Sequence, residues 1–275
     1  MKNFLITGAT NGIGKAIAEM ALDSGFHLIM IGRNEKLMKQ TIDEFKLKVS
    51  NASIDYFILD FMDFKSIMDA SIKIKKKYQT IDYMHLNAGA LPPYKNAKTP
   101  SGHDFSMSVN FIGPLLFFEQ LISLVDNSNE KMVLHTTSMS ASRKFKESDL
   151  NEIHTYGRIK SYATSKLFAN LSFFYYASQY PKLKFRLVDP GIVYTNAVTH
   201  MMPKIFKFIT PLAHLISRMP SVVAREVKQI IEKNDKITIG LYRKAKLIRH
   251  NPINEDTNLQ KLAMSYAHSH YKGIV

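Results

Sequence analysis

Short apolar runs alternate with longer amphipathic stretches along most of the chain. The run Asn3 to Thr7 gives way to a glycine-containing turn and then to a helical pattern from about Gly12 to Ser24. That pattern stops at Gly25, a residue suited to the left-handed conformation just past a helix end. The same alternation continues with a strand at His27 to Ile31, a helix from Asn34 to about Val49, a strand at Ile54 to Leu59 and a charged amphipathic helix from Asp63 to Tyr78. Further strands are predicted at Asp82 to Leu86, Lys131 to Thr137 and Lys184 to Val188, separated by long helices at about His103 to Val125 and Ser161 to Tyr180. A helix from Ser221 to Lys233, a strand near Thr238 to Tyr242 and a helix from about Glu255 to His268 complete the chain. Strand and helix in strict alternation predict an α/β fold, a doubly wound, mainly parallel sheet with helices on both faces.

One stretch departs from this pattern. From Thr195 to Pro220, apolar residues such as Met201, Met202, Phe206, Phe208 and Leu212 are mixed with prolines and basic residues. It could lie on a membrane or form a dimer surface, but flexible methionines beside phenylalanines best suit a lid, at about 193–220, over a bulky apolar ligand.

At 275 residues, with no linker rich in proline, glycine or serine, the chain is expected to be one domain over 1–275. The absence of cysteine excludes disulfides, thiolate catalysis and cysteine metal sites, and fits a reducing cytoplasm. Met1 and Lys2 lead directly into the first apolar strand, and no run of 18 or more apolar residues is evident. We therefore expect a cytoplasmic protein with no signal peptide and no transmembrane segment. The net charge of +14 and pI near 9.7 invite a nucleic-acid partner. The lysines are spread widely, however, the cluster from Lys73 to Lys77 reads as an exposed helix end, and no nucleic-acid motif occurs, so none is expected.

The turn after the first strand carries candidate chemistry. Gly8, Gly12 and Gly14, with Thr10, Asn11 and Ile13 between them, join a strand to a helix, where backbone amides can approach a pyrophosphate and the helix N-terminus favours its charge. Such a turn suits a Rossmann-like dinucleotide site, but the spacing Gly-xxx-Gly-x-Gly differs from the common fingerprint, and the alternative is a tight turn that only packs helix on strand. At the end of the second strand, where an acid would bind ribose hydroxyls, stand Arg33 and Asn34. A guanidinium there suits a 2′-phosphate, so NADP(H) is expected in preference to NAD(H).

A tyrosine that exchanges protons near neutrality needs its pKa lowered by roughly 3 units from about 10. Lys166 stands at i+4 from Tyr162, on the same helical face, and is expected to favour the phenolate. Tyr156 and Lys160 share that spacing, but Gly157 weakens a helix beginning there, and Tyr156 is expected in a loop closing over substrate. Thr136, Thr137, Ser138, Ser140 and Ser142 crowd the end of one strand as candidate hydroxyls. His268 and His270, two apart, face opposite sides of a helix, so no metal site is expected, and His135 within a strand is read as a packed residue.

Taken in order over nearly the whole chain, these features resemble the short-chain dehydrogenase/reductase family. Lys160 to Leu167 is most similar to its retinol dehydrogenase branch. The resemblance implies that Thr7 to Gly14 binds the cofactor phosphates, that Asp60, followed by Phe61, meets the adenine, and that Asn87, Ala88 and Gly89 form the signature after the fourth strand. It implies a catalytic tetrad of Asn110, Ser138, Tyr162 and Lys166, with Asn110 ordering a water relay, and a nicotinamide contact through Pro190, Gly191, Val193 and Thr195. Ser138 is singled out by Ala141 three positions on and by its 24-residue separation from Tyr162, close to that branch. The implied activity is hydride transfer between nicotinamide and a small-molecule carbonyl or alcohol, most readily the reduction of a hydrophobic aldehyde or ketone. The alternative is a cofactor-sensing or partner-binding protein on the same fold. Homo-oligomers are common in the family, and the helix faces leave the oligomeric state open.

Overall fold

Eight strands assemble into one sheet in the order β3-β2-β1-β4-β5-β6-β7-β8 in the computed structural model, which describes residues 1–193, 218–233 and 235–274. The strands are β1 (Asn3–Thr7), β2 (His27–Gly32), β3 (Ile54–Ile58), β4 (Tyr83–Leu86), β5 (Met132–Thr136), β6 (Lys184–Val188), β7 (Ile239–Arg243) and β8 (Lys246–Ile248). All neighbours pair in parallel except β7 and β8. The central strands are largely apolar because both faces are covered: in β1, Phe4 and Ile6 enter one core and Leu5 the other, and in β5, Met132 and Leu134 oppose Val133.

Helices α1 (Gly12–Asp23), α2 (Glu35–Lys48) and α6 (Pro220–Lys233) cover one face. Helices α3 (Phe64–Lys77), α4 (Gly113–Asp126), α5 (Arg158–Gln179) and α7 (Thr257–Tyr271) cover the other. Their starts are chemically marked: the side chains of Asn11, Asn34 and Asp63 each accept a hydrogen bond from a first-turn amide of α1, α2 and α3. Gly25 takes φ +75° just beyond α1, as its position predicts.

The expected helix over 103–125 begins instead at Phe105, behind the cap Asp104, and passes through a π turn at Ser108–Ile112 before α4. Together Phe105–Asp126 is long and apolar enough to cross a membrane by length and composition, contrary to expectation, yet 72% of its most apolar window is buried inside the protein. Helix α5 starts three residues before the predicted Ser161 because Gly157, in extended conformation, serves as its N-cap. A 3₁₀ helix at Glu147–Thr155, the short strand β8 and a 3₁₀ turn at Pro252–Glu255 carry no clear periodicity and were not anticipated. The lid expected at 193–220 falls, for 194–217, outside the described residues, as does Thr195.

Candidate active site

Strand order reverses between β1 and β4, which opens a crevice at the C-terminal ends of the strands. A cleft of about 1400 Å³ occupies this place. Gly8, Thr10, Asn11, Gly12, Ile13 and Gly14 line it, with Arg33, Asn34, Asp60, Phe61, Asn87, Ala88 and Gly89 beyond them. Ser138, Tyr162, Lys166, Pro190, Gly191 and Val193 complete the set of predicted residues on its wall. Of the predicted tetrad only Asn110 does not reach the cleft surface, and within the predicted turn Thr7 and Ala9 lie behind it.

The glycine turn is built by close approach. A Cβ on Gly14 would lie 2.1 Å from the Gly8 carbonyl oxygen and 2.5 Å from Asn87 Nδ2, so no side chain fits. Gly8 and Gly12 take φ +71° and +52°, the left-handed region that favours glycine. The first amides of a helix have no internal acceptor. Asn11 Oδ1 takes that of Gly12 at 2.7 Å, leaving those of Ile13 and Gly14 at the cleft, with no acid in the first turn of α1 to repel an anion. This cradle fits the pyrophosphate of a dinucleotide. Thr7 ties the two sides of the switch point together: its Oγ1 accepts from the amides of Asn87 and Ala88 at 3.0 and 2.9 Å, and its carbonyl accepts from Asn87 Nδ2 at 3.1 Å.

At the adenosine end, Arg33 is exposed and makes no hydrogen bond or ion pair among the described residues, so its guanidinium is free for a ligand. Asn34 is less free than expected, because its Oδ1 caps α2 through the Leu37 amide at 2.9 Å. Asp60 Oδ1 accepts from the Met62 amide at 3.0 Å, holding the carboxylate in the turn after β3. Lys15, just beyond the glycine turn, pairs with Glu44.

The reacting end is carried by α5 and the loops after β4, β5 and β6. Tyr162 and Lys166 lie one turn apart on α5, and Ser138 stands two residues past the end of β5, its Oγ 2.7 Å from that of Ser140. The expectation that Lys166 lowers the tyrosine pKa fails here. Burial pushes Tyr162 up from its ordinary 10.0, a hydrogen bond with Ser138 opposes the shift, and the Asp189 carboxylate adds to it. The lysine amine is 5.9 Å from the phenol ring centre and donates to the Thr136 carbonyl at 2.9 Å, so it is anchored to β5 rather than to the hydroxyl. Lys166 is 2% exposed, and burial pushes its own pKa down to about 8.

Asn110 projects from the π turn into the wall behind the cleft. Its amide clamps Ala90 from both sides, accepting from the Ala90 nitrogen at 2.7 Å and donating to its oxygen at 2.9 Å, and also reaches Ser165 Oγ at 3.2 Å. It holds the chain after Gly89 rather than forming the cleft surface. A Cβ on Gly89 would meet both Asn110 Oδ1 at 3.0 Å and Lys166 Nζ at 3.2 Å, so the glycine of that signature is what lets the two groups come together.

Tyr156 is not in a loop over the cleft. It ends the 3₁₀ helix, is 5% exposed within the core, and its hydroxyl donates to the Asp149 carbonyl at 3.3 Å. His135 is packed, as expected, 4.9 Å from the ring of Phe173 and held neutral by burial. Two residues have supporting roles that motif reading did not give: Thr136, one of the candidate hydroxyls, which donates to Asn87 Oδ1 at 3.1 Å, and Asp189, whose Oδ1 accepts from the Gly191 amide at 2.9 Å while Arg243 holds the other oxygen. Their signal was adjacency to the motifs, Thr136 just before the serine cluster and Asp189 just before Pro190.

Comparison with known proteins agrees with this arrangement. A family model described as short chain dehydrogenase matches residues 2–205. Human polyprenol dehydrogenase is 26% identical over 207 residues, covering 72% of this chain and 62% of that protein, so the match spans less than two thirds of that relative's length. Mouse retinol dehydrogenase 14 is 25% identical over 232 residues, covering 78% of this chain and 68% of that protein. Among solved structures, an alcohol dehydrogenase from Thermococcus sibiricus, complexed with 5-hydroxy-NADP, superposes with a TM-score of 0.68 at 19% identity, covering 91% of this chain and all of that one, a likeness of fold.

Proposed function

This chain belongs to the short-chain dehydrogenase family, and from that premise we propose that it reduces a hydrophobic aldehyde or ketone with NADPH. One observation carries this reading: a phenol held in its protonated form by burial, on the same cleft wall as a serine hydroxyl and facing the space beyond the glycine cradle. A tyrosine of ordinary pKa is already protonated across the neutral range and burial keeps it so, which supplies the proton that reduction needs once negative charge develops on the substrate oxygen. NADPH, when bound, supplies the hydride. Ser138 donates a hydrogen bond to the carbonyl oxygen, and Tyr162 delivers the proton as negative charge develops there, so C=O becomes CH–OH. Lys166 holds the β5 end of the wall and, protonated below about pH 8, places positive charge near the developing oxyanion. Apolar Phe105, Val109 and Ile192 on the wall favour a hydrophobic substrate body.

The preference for NADPH rests on Arg33, unpaired at the end of β2 where no acid stands. The test is NADPH oxidation with a panel of hydrophobic aldehydes and ketones, repeated with NADH and with Arg33→Ala. Turnover with NADPH is expected, and Arg33→Ala should raise the KM for NADPH about tenfold while leaving that for NADH little changed. NADPH binding without turnover of any compound would overturn the reductase reading in favour of a cofactor-sensing protein. An unchanged KM for NADPH would overturn the role of Arg33.

A further inference from the structure

The substrate end of the cleft is basic as well as apolar. Lys95, Arg158 and Lys160 line it, and none of them pairs with a carboxylate among the described residues. The only acid on the described cleft wall, Asp60, lies after β3, on the far side of β1 from Tyr162. Arg158 is the best placed of the three. It is half-buried, its Nε donates to the Pro92 carbonyl at 2.7 Å, and both of its terminal nitrogens have no partner among the described residues. A guanidinium tethered through Nε loses much of its rotamer freedom in advance and keeps its fork for a planar anion. Arg158, Tyr162 and Lys166 stand at i, i+4 and i+8 on α5, so the backbone positions of Arg158 and Tyr162 are about one turn, ~6 Å along the axis, apart, and both side chains line the cleft. Lys160 bends back with its amine 3.5 Å from the Tyr156 ring centre, adding positive charge to the same wall.

We propose that the substrate carries an anionic group, a carboxylate or a phosphate, on an apolar body about one helical turn from its carbonyl, and that Arg158 binds this group. Lys95 and Lys160 supply the surrounding positive field. The inference rests on the reductase reading for its carbonyl and on Arg158 alone for its charge. It excludes neutral lipophilic carbonyls as the preferred ligands, although phenylalanine and isoleucine on the wall would otherwise welcome them.

The test is binding, read by calorimetry with no reaction under way. The protein loaded with NADP⁺ is titrated with hexanoate, hexyl phosphate and methyl hexanoate, in the wild type, Arg158→Gln and Arg158→Lys. Both anions are expected to bind at least about tenfold more tightly than the ester, with the tighter of the two naming the anion. Arg158→Gln should remove most of that preference, and Arg158→Lys should restore part of it, because charge returns without the fork. Methyl hexanoate binding as tightly as the anions, or Arg158→Gln weakening all three probes equally, would overturn the inference, the second outcome marking Arg158 as a structural tether. A protein that keeps the Arg158-dependent preference but turns over no carbonyl would overturn the reductase reading alone.

Discussion

Two tyrosine and lysine pairs of identical spacing, Tyr156 with Lys160 and Tyr162 with Lys166, stand six positions apart, and their environments are opposites. In the first, the tyrosine is buried ahead of the helix and the lysine is exposed, its amine resting 3.5 Å from the tyrosine ring centre. In the second, both residues are in the helix, the tyrosine reaches the cleft and the lysine is buried, its amine 5.9 Å from the ring centre and bonded to a strand carbonyl. The spacing i, i+4 therefore guarantees a shared face only where both residues are helical, and even there it does not make the lysine the partner of the phenol. What distinguishes the pairs is the neighbouring strand: the end of β5 offers Lys166 a carbonyl, and Lys160 has, among the described residues, only a ring.

The sharpest way to break this contrast is to delete the two hydroxyls. Under the proposed mechanism, Tyr162→Phe should lower kcat by about 10²–10⁴-fold with NADPH binding retained, whereas Tyr156→Phe should change kcat by less than about threefold. A large loss in Tyr156→Phe, with Tyr162→Phe still active, would reverse the assignment.

The lysines give a smaller and differently signed effect, on stability. Below about pH 8 Lys166 is protonated in both the folded and unfolded chain, so it contributes no slope. Between about 8 and its ordinary 10.5 the unfolded chain binds the extra proton, so stability rises with pH across that window. Relative to Lys166→Met, the wild type should gain stability on the order of 3 kcal/mol between pH 8 and 10.5. Urea unfolding of both proteins across that range measures it, and parallel profiles would show that the buried amine is not under desolvation stress.

Least is expected from Lys160→Met. Loss of its contact with the Tyr156 ring should cost no more than about 1 kcal/mol in the same urea assay. A larger loss would mean that the first pair, unlike the second, is structurally coupled.

Legibility of the site followed the range of the interactions involved. The glycine turn was readable because Gly8 and Gly14 answer local demands, a left-handed turn and a close approach, that leave a mark in residue type. Arg33 was readable because an arginine replaced an expected acid at one position. The wall at Asn87 to Gly89 was readable by resemblance, but not its dependence on Thr7, 80 residues away. Arg158 passed unnoticed for the same reason, since its tether to Pro92 spans 66 residues and nothing in its neighbours announces it. The raised pKa of Tyr162 ran against expectation because burial, unlike spacing, belongs to the whole fold.

By itself, the amino-acid order determined the succession of strands and helices, the parallel sheet that follows from it, the glycine turn and which tyrosine is proposed to react. These depend on periodicity, glycine conformation and short spacings, all properties of nearby residues. Only the tertiary structure decided that burial raises the Tyr162 pKa, that Lys166 answers to β5, that Asn110 clamps Ala90, and that the Arg158 fork, without a partner among the described residues, belongs to the cleft wall. Each of those depends on desolvation or on a partner distant in the chain, and such free energies exist only once the elements have packed.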